Sequence, residues 1–529
     1  MTTRRGGPGS VPRRAGLKAC ATAVLALAVG ACHATPKPNP FPTPPAHPAP
    51  PAHPAPPAPP ALVRDIDDIL AAPAFERGYW GVLVKSLKTS ETLYSRNAHK
   101  LMMPASNMKI VTLAAAAERL GWDYTYETQI LGAGAIRDGA LDGDLLVVGS
   151  GDPSLVVAEG VSARVFDEWA ERLKALGVRT IRGRVIGDDN TFDDEALGFG
   201  WSWDDLPDDY AAGVSALQFN ENAARVTVSP GASAGDSASV DITPPGTGLV
   251  IDNLVKTGAA DTPASIAARR LPGRSRLEFR GSIPAGAAPV TRVVSVDNPT
   301  RFAVNALRDA LVARGIDIRG PAIDIDDLTD PPKRSDGVTL VTYRSPPLSV
   351  LAMRLMKVSQ NLYAETLLKT LGVRHGSDTC LTPCGASTAA GRASAQTTLQ
   401  AWGVPTEAMI QRDGSGLSRY DYVTPDGLVT ILTHVDRDEK LRGPFEASLP
   451  IAGRDGTLAN RMTGTAAEGN ARAKTGSMSN VRALSGYVTS ADGEPLVFSI
   501  LANNFETPAD VINRATDAIV VRLAEFSRR

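Results

Sequence analysis

The residues best suited to covalent chemistry are Ser106 and Lys109, at the start of an Ala/Leu/Ile-rich run. The composition of that run predicts a buried helix of about three turns. Side chains at positions i and i+3 share one face of a helix, so the Ser106 hydroxyl and the Lys109 amine can meet. A lysine whose pKa is lowered by burial or neighbouring charge can take the serine proton and create a nucleophile. A serine N-cap followed by a surface lysine would give the same pattern, so the interpretation depends on companion motifs.

Two companion motifs follow in the chain, Ser359-Gln360-Asn361 and Lys474-Thr475-Gly476. The first lies between apolar segments that predict helices over 347–356 and 362–371, and the second leads into a predicted buried strand over 481–488. Together with Ser106-x-x-Lys109, this ordered set resembles the signature of the penicillin-recognising acyl-serine enzymes. The resemblance predicts that residues far apart in sequence share one site.

Each residue of the set suits one task in acyl transfer. Ser106 is the expected nucleophile and Lys109 its base, while Ser359 can relay a proton to a leaving amine. Asn361 can hold the substrate amide, and Lys474 and Thr475 can hold a substrate carboxylate. Gly476 lets the substrate backbone lie close to the strand. The backbone N–H groups of Ser106 and Ser477 are the expected oxyanion hole, which is worth about 3–4 kcal/mol per donor in comparable sites.

About 250 residues separate Ser106 from Ser359. Among the acyl-serine enzymes, this spacing resembles that of the class C low-molecular-mass penicillin-binding proteins, the D-alanyl-D-alanine carboxypeptidase/endopeptidases. Further similar stretches are Gly149–Ser154, Gly200–Asp205, Asp413–Arg419 with Val423–Pro425, and Gly453–Leu458. The resemblance covers about residues 62–529 and implies an α/β (α+β) transpeptidase-like domain interrupted by two nested, mainly β and α+β domains.

The order of predicted strands and helices, and the local composition, support such a division into domains. After the Ser106 helix come short strands, at 145–148 and at 180–186 with a bulge expected at Gly183, and helices over 162–176 and 299–314. Residues 214–295 are rich in Ala, Gly, Ser and Pro and predict a small β module. We therefore expect a peptidase domain at 62–127 and 326–529, inserted domain II at 128–213 and 296–325, and inserted domain III at 214–295.

The resemblance also implies binding residues for the peptide stem of peptidoglycan. Arg419 and Ser479 are expected to contact it from the peptidase domain. From the inserted domain, the candidates are Trp203, Asp204, Asp205 and Tyr210. These four could equally form an aromatic and acidic turn that only packs between domains.

A second Lys-Thr-Gly sequence begins at Lys256. It lies inside the predicted insert and runs on into Ala-Ala-Asp-Thr-Pro, which is typical of a turn. A binding strand must belong to the same domain as Ser106 and Ser359. We therefore assign function to Lys474 and expect Lys256 to occupy a solvated turn.

Composition excludes several classes of partner. The formal net charge is −2 and there is no long basic run, which argues against nucleic acid and against a polybasic membrane surface. The six histidines show no metal-ligand spacing, and there is no P-loop or dinucleotide-binding fingerprint. We expect neither a metal nor a cofactor.

The N-terminal 31 residues have the form of a signal peptide, with five basic residues before a short apolar stretch. That stretch ends in Val-Gly-Ala before Cys32, which resembles a bacterial lipobox with Cys32 as the lipidated first residue. Cleavage by an ordinary signal peptidase near Ala31 or Ala34 is the alternative. Residues 32–61 would then carry the lipid and a proline-rich spacer, at ~3.1 Å per residue if extended. We expect a periplasmic protein anchored to the outer membrane, with the lipid as its only contact with a membrane.

Cys380 and Cys384 frame a short loop, Cys-Leu-Thr-Pro-Cys. In an oxidising compartment they could close a small disulfide ring, or they could remain two free thiols. The resemblance offers no account of this loop.

The sequence thus predicts a serine-type D-Ala-D-Ala carboxypeptidase, also capable of DD-endopeptidase action, whose partners are peptidoglycan peptides and β-lactams. A β-lactamase or esterase on the same fold differs in deacylation by water, which the motifs do not reveal. A non-catalytic wall-binding lipoprotein is a second alternative, and the complete motif set argues against it. A Ser-His-Asp hydrolase is disfavoured because the chain has only six histidines.

Overall fold

The computed structural model describes residues 60–156, 161–376 and 387–528. The signal peptide, Cys32, the spacer up to residue 59 and both Cys380 and Cys384 lie outside the described residues. Strands and helices are numbered in chain order below. Within the described ranges, no helix combines the length and the apolar character needed to cross a membrane.

One antiparallel sheet joins the two ends of the described chain. From edge to edge its strands are β18 (Arg472–Met478), β19 (Val481–Thr489), β20 (Pro495–Asn503), β1 (Tyr79–Ser86) and β2 (Thr92–Arg96). Side chains alternate between the two faces of a strand, so both faces of this apolar sheet need a cover. On β20, Val497 and Leu501 pack into one hydrophobic core, while Phe498 and Ile500 pack into another.

Helices cover both faces. The face that carries Phe498 packs with the two terminal helices, α1 (Ala61–Leu70) and α10 (Ala509–Ala524). The other core holds α2 (Met108–Leu120), α5 (Leu348–Lys357), α6 (Asn361–His375), α7 (Ser387–Ala401), α8 (Pro425–Arg437) and α9 (Glu439–Ser448). The short strands β16 (Met409–Ile410) and β17 (Tyr422–Val423) pair beside them. Residues 108–117 of α2 are all buried, so its alanines, leucine and isoleucine lie at the centre of the helical layer.

A seven-stranded mixed sheet is inserted after α2. Its strands are β3 (Glu127–Arg137), β4 (Ala140–Val148), β5 (Thr180–Ile181), β6 (Val185–Asp188), β13 (Asp317–Ile318), β14 (Ala322–Asp324) and β15 (Val338–Arg344). The helices α3 (Val161–Ala175) and α4 (Pro299–Ala313) share its core.

The single strand predicted over 180–186 is wrong, because the structure has two short strands separated at Gly183. A side chain at Gly183 would meet Asp144 Oδ1 at 2.3 Å and the Gly143 carbonyl oxygen at 2.5 Å. The close approach of the neighbouring strand therefore requires glycine, although β5 and β6 both pair in parallel with β4.

Two three-stranded sheets form a second inserted unit around their own core. One contains β7 (Ala223–Ser229), β8 (Ser239–Thr243) and β12 (Val290–Ser295), and the other contains β9 (Val250–Gly258), β10 (Ser265–Arg269) and β11 (Arg276–Pro284).

The predicted boundaries of the three domains stay predictions, but the segment after residue 325 does not leave the inserted sheet where the boundary was expected. Strand β15 was predicted to belong to the peptidase domain, but it pairs with β3 in the inserted sheet. The inserted sheet therefore extends past the expected boundary, and the chain returns to the helical layer at α5.

The prediction of a solvated turn at Lys256 is wrong about the backbone, which forms a strand there. Lys256 lies on β9, two residues before that strand ends, and pairs with Ser282 of β11. Its side chain is exposed and donates to Ser237 Oγ at 3.1 Å. The residue is solvated as predicted, but on a strand.

Candidate active site

Ser106 and Lys109 lie where a single helical turn, Ala105–Asn107, leads into α2. Ala105 has a left-handed backbone, with φ of 45°, which is costly for a residue with a side chain. Lys109 is fully buried and Ser106 is half-buried, and Lys109 Nζ donates to Ser106 Oγ at 2.9 Å. The two side chains predicted to meet across one helical turn are in hydrogen-bond contact.

Lys109 Nζ has two further acceptors, Asn361 Oδ1 at 2.6 Å and the Ser415 carbonyl oxygen at 2.9 Å. Burial lowers the pKa of Lys109 from 10.5 to about 7, against the opposing charges of Asp413, Glu365 and Asp421. Near neutral pH a large fraction of this amine can therefore be unprotonated, as a general base must be.

Asn361 uses both ends of its amide within the protein. Its oxygen accepts from Lys109, and its Nδ2 donates to the carbonyl oxygen of Tyr210 at 2.7 Å. These contacts orient Lys109 and fix Asn361 to the inserted domain. Asn361 also lines the cavity, and its contact with a substrate amide stays a prediction.

Ser359 and Lys474 form a second hydroxyl–amine pair. Lys474 Nζ donates to Ser359 Oγ and to the Thr475 carbonyl oxygen, each at 2.8 Å. Lys474 is fully buried, and burial followed by the charge of Lys109 lowers the pKa of Lys474 well below its usual value. Ser359, like Ala105, has a left-handed backbone, with φ of 63°.

Strand β18 places Lys474, Thr475, Gly476 and Ser477 at the open edge of its sheet. Asn107 Nδ2 donates to the Lys474 carbonyl oxygen at 2.9 Å, which ties this edge to the start of α2. A side chain at position 476 would meet the Pro104 carbonyl oxygen at 2.6 Å. Glycine at 476 is therefore required for β18 to lie against the turn that carries Ser106.

A cavity of about 400 Å³ opens over these groups. The predicted site residues among those that line it are Ser106, Ser359, Asn361, Thr475, Ser477, Arg419, Ser479, Asp205 and Tyr210. Arg419 also donates to the Ser479 carbonyl oxygen at 3.5 Å. Lys109 and Lys474 lie buried beside the hydroxyl groups with which they are bonded.

Of the four candidate binding residues in the inserted domain, only two line the cavity at Ser106. Asp205 and Tyr210 line the cavity, and the Tyr210 hydroxyl donates to Asp205 Oδ1 at 2.9 Å. Trp203 is 59% exposed and lines a different cavity, of about 780 Å³. Asp204 accepts from the Ser202 hydroxyl at 2.5 Å, and that hydrogen bond lowers its pKa.

The motif analysis missed the buried carboxylates beside Lys109, which are Glu365, Asp413 and Asp421. Glu365 lies one turn after Asn361 on α6, at the i+4 spacing that places two side chains on one helix face. That spacing could have indicated it. Asp413 and Asp421 lie outside the helices, so only the fold brings them to Lys109.

A separate cluster of three aspartates has carboxylate oxygens close enough together to hold a cation. Asp189, Asp324 and Asp326 place ligand atoms within 4.8 Å of one another. Asp324 already accepts from Asn298 Nδ2 and from the Asp326 N–H, and burial with the neighbouring carboxylates raises the pKa of Asp326 to about 6. None of the three lines the cavity at Ser106.

Residues 62–526 match the model of the D-Ala-D-Ala carboxypeptidase 3 (S13) family. A D-alanyl-D-alanine carboxypeptidase of Actinomadura sp. (strain R39) is 40% identical over 479 residues, which cover 88% of this chain and 85% of that protein. Penicillin binding protein 4 (dacB) from Haemophilus influenzae has a similar crystal structure, with a TM-score of 0.76 and 25% identity over 87% of this chain and 99% of the other. A crystal structure of the same protein complexed with a β-lactam gives a TM-score of 0.70 at 23% identity, covering 87% and 100%.

The chain belongs to the D-Ala-D-Ala carboxypeptidase 3 (S13) family. The family predicted from the three motifs is thereby confirmed. The penicillin-recognising serine hydrolase fold is confirmed as well.

Proposed function

We propose that this member of the S13 family is a serine-type D-Ala-D-Ala carboxypeptidase that acts on peptidoglycan stem peptides through an acyl-enzyme on Ser106. The observation that carries the proposal is the contact of 2.9 Å between Lys109 Nζ and Ser106 Oγ, with a lysine whose pKa burial lowers to about 7. The carboxypeptidase of Actinomadura, at 40% identity, supports the same activity.

Acylation begins when neutral Lys109 takes the proton of Ser106 and Oγ attacks the carbonyl carbon of the penultimate D-alanine. The backbone N–H groups of Ser106 and Ser477, which line the same cavity, are the proposed donors to the developing oxyanion. Collapse of the tetrahedral intermediate breaks the C–N bond. The leaving amine takes a proton from Ser359, and Ser359 Oγ recovers one from Lys474 Nζ, which contacts it. The proton that Lys109 took from Ser106 replaces the one that Lys474 gives up. Water then hydrolyses the ester and releases the shortened peptide.

Substrate binding is proposed along the open edge of β18. An extended peptide can add to such an edge through its backbone, with side-chain pockets providing specificity. Lys474 contributes positive charge and Thr475 a hydroxyl for the terminal carboxylate, while Arg419 and Ser479 at the cavity wall meet the stem peptide. The same edge would accept a cross-linked peptide, so DD-endopeptidase action is part of the proposal.

A β-lactam presents a reactive amide to the same serine, and the rival function is β-lactamase turnover of that adduct. The test incubates the purified protein with a peptide that ends in D-Ala-D-Ala and, separately, with benzylpenicillin. We expect catalytic release of free D-alanine and a stoichiometric, long-lived penicilloyl adduct, measured by chromatography and by intact mass. Rapid penicillin turnover without release of D-alanine would establish the β-lactamase instead, and neither reaction would establish the wall-binding alternative.

We also propose that the protein is exported to the periplasm and lipidated at Cys32, which would anchor it to the outer membrane. The support is the basic and apolar N-terminus, the Val-Gly-Ala-Cys sequence and His33 after the cysteine. The proline-rich spacer would then hold the catalytic part at a distance from the membrane, up to roughly 80 Å if fully extended.

Replacing Cys32 by alanine should release the protein into the soluble periplasmic fraction, because one covalent lipid is then lost. The measurement is membrane fractionation with immunodetection of the full chain. Cys20→Ala, which changes a cysteine inside the apolar stretch, is the matched control and should stay with the membrane. Equal membrane association of the Cys32→Ala and wild-type proteins would exclude the anchor.

A further inference from the structure

A loop from Asp413 to Ser418 supplies the third acceptor of Lys109, and buried carboxylates hold this loop in place. Asp413 accepts from the backbone N–H groups of Gly416 and Ser418, each at 2.7 Å. Asp421 accepts from the Arg412 N–H at 2.5 Å. Asp413 of the loop and Asp421 just after it therefore fix the backbone N–H groups of Arg412, Gly416 and Ser418.

Glu365 holds the remaining part of the loop from a different element. Its Oε2 accepts from the Gly414 N–H at 2.9 Å and its Oε1 from the Ser415 N–H at 2.8 Å. The carbonyl of Ser415 is the group that accepts from Lys109 Nζ. A backbone whose two successive N–H groups are fixed has little freedom to turn that carbonyl away from the amine.

We infer that Glu365 is a positioning residue for the Ser106–Lys109 pair, and that it acts through the Gly414–Ser415 backbone. This inference rests on the proposed acylation of Ser106. One helix, α6, then carries both Asn361 and Glu365, so a single rigid element sets two of the three acceptors of Lys109.

The charges around Lys109 come from each element packed against it. Lys474 of β18 faces it with a like charge, while Glu365 of α6 and Asp413 and Asp421 of the loop region face it with carboxylates. Burial, followed by repulsion from Asp413, raises the pKa of Glu365 to about 8. The negative charge of Glu365 favours protonated Lys109 only where Glu365 is ionised, above the range in which Lys109 itself titrates.

Glu365→Gln tests the inference. The amide keeps the shape but offers only one acceptor oxygen, so one of the two loop N–H groups loses its partner. We expect the rate of acylation by benzylpenicillin at its pH plateau to fall roughly tenfold. The affinity of the initial non-covalent complex should stay at the wild-type value, because Glu365 is not among the residues that line the cavity.

Asp193→Asn is the matched control. Asp193 pairs with Lys369, a buried residue one turn after Glu365 on the same helix, and also accepts from Ser387. The substitution removes a partly buried charge beside α6 but touches no group bonded to Lys109. We expect a lower melting temperature with the wild-type acylation rate, whereas a fall in that rate equal to the fall in Glu365→Gln would overturn the inference.

Thr112→Val provides a second test if Glu365→Gln does not fold. The Thr112 hydroxyl donates to the Gly414 carbonyl oxygen at 2.7 Å, so the nearly isosteric valine loosens the same loop without changing charge. We expect slower acylation. Wild-type acylation rates in this variant would overturn the positioning role. Failure of the wild-type protein to react with benzylpenicillin would overturn the proposed function instead.

Discussion

Replacing Ser106 by alanine should abolish covalent labelling by benzylpenicillin completely. Ser106 is the hydroxyl in contact with the buried amine of Lys109, and alanine has no atom that could form the ester. Intact-mass measurement should show one added penicilloyl group on the wild-type protein and none on Ser106→Ala. Peptide mapping should place the adduct on Ser106.

The matched control for this experiment is Ser477→Ala. Ser477 has an exposed hydroxyl in the same cavity and is the neighbouring serine that could compete as the nucleophile. Its proposed contribution to the oxyanion hole is the backbone N–H, which alanine keeps. We expect Ser477→Ala to gain the penicilloyl mass. Labelling that survives in Ser106→Ala, or disappears in Ser477→Ala, would show that the nucleophile is misassigned.

The Lys-Thr-Gly sequence that binds substrate can be identified by comparing Lys474→Ala with Lys256→Ala. Lys474 is fully buried, and its amine contacts Ser359 beside the nucleophile. Loss of a charge-assisted contact to the substrate carboxylate should cost at least ~2 kcal/mol, or roughly thirtyfold in the rate of acylation. The rate is measured with benzylpenicillin and with a peptide that ends in D-Ala-D-Ala.

Lys256 is the control because it lies in the same tripeptide sequence on an inserted sheet. Its side chain is exposed and contacts only the Ser237 hydroxyl among the hydrogen bonds described for it. Lys256→Ala should therefore acylate at the wild-type rate. A defect in Lys256→Ala together with normal acylation by Lys474→Ala would mean that the wrong strand has been assigned to the substrate.

The elements that hold the three motifs could be predicted because local signals and burial agree there. The run of small and aliphatic residues after Ser106 predicted α2, and the apolar segment after Gly476 predicted β19. The order of the motifs then implied a common site. The contacts of Lys109 with Ser106 and of Lys474 with Ser359 are consistent with that prediction.

Three helices in the C-terminal part were not predicted, for two different reasons. The α7 sequence carries serines, threonines and a glycine among its alanines, and these residues lower its intrinsic preference for helix. Close packing on α6 compensates, since a side chain at Gly391 would meet the Leu368 carbonyl oxygen at 1.9 Å. For α8 the sequence does contain a helix-start signal, because Thr424 caps the Gly427 N–H and proline occupies the first turn. The motif-based prediction includes neither α8 nor α9.

The environment of Lys109 could not be predicted from the sequence. Glu365, Asp413 and Asp421 reach the lysine only through the folding of α6 against the loop that follows β16. The same holds for the Tyr210 carbonyl, which comes from the inserted domain and fixes Asn361. A motif indicates which groups react, whereas their pKa values and orientation depend on contacts across the whole fold.

The left-handed backbone at Ala105 and Ser359 has a consequence for how this protein could be stabilised. Non-glycine residues in that conformation cost of order 1–3 kcal/mol each, and glycine would relieve the cost. At 359, glycine would delete the hydroxyl that contacts Lys474, and at 105 it would free the turn that aims Ser106. Thermal stability and catalytic competence therefore compete at these two positions, so a thermostable variant has to gain its stability at other positions.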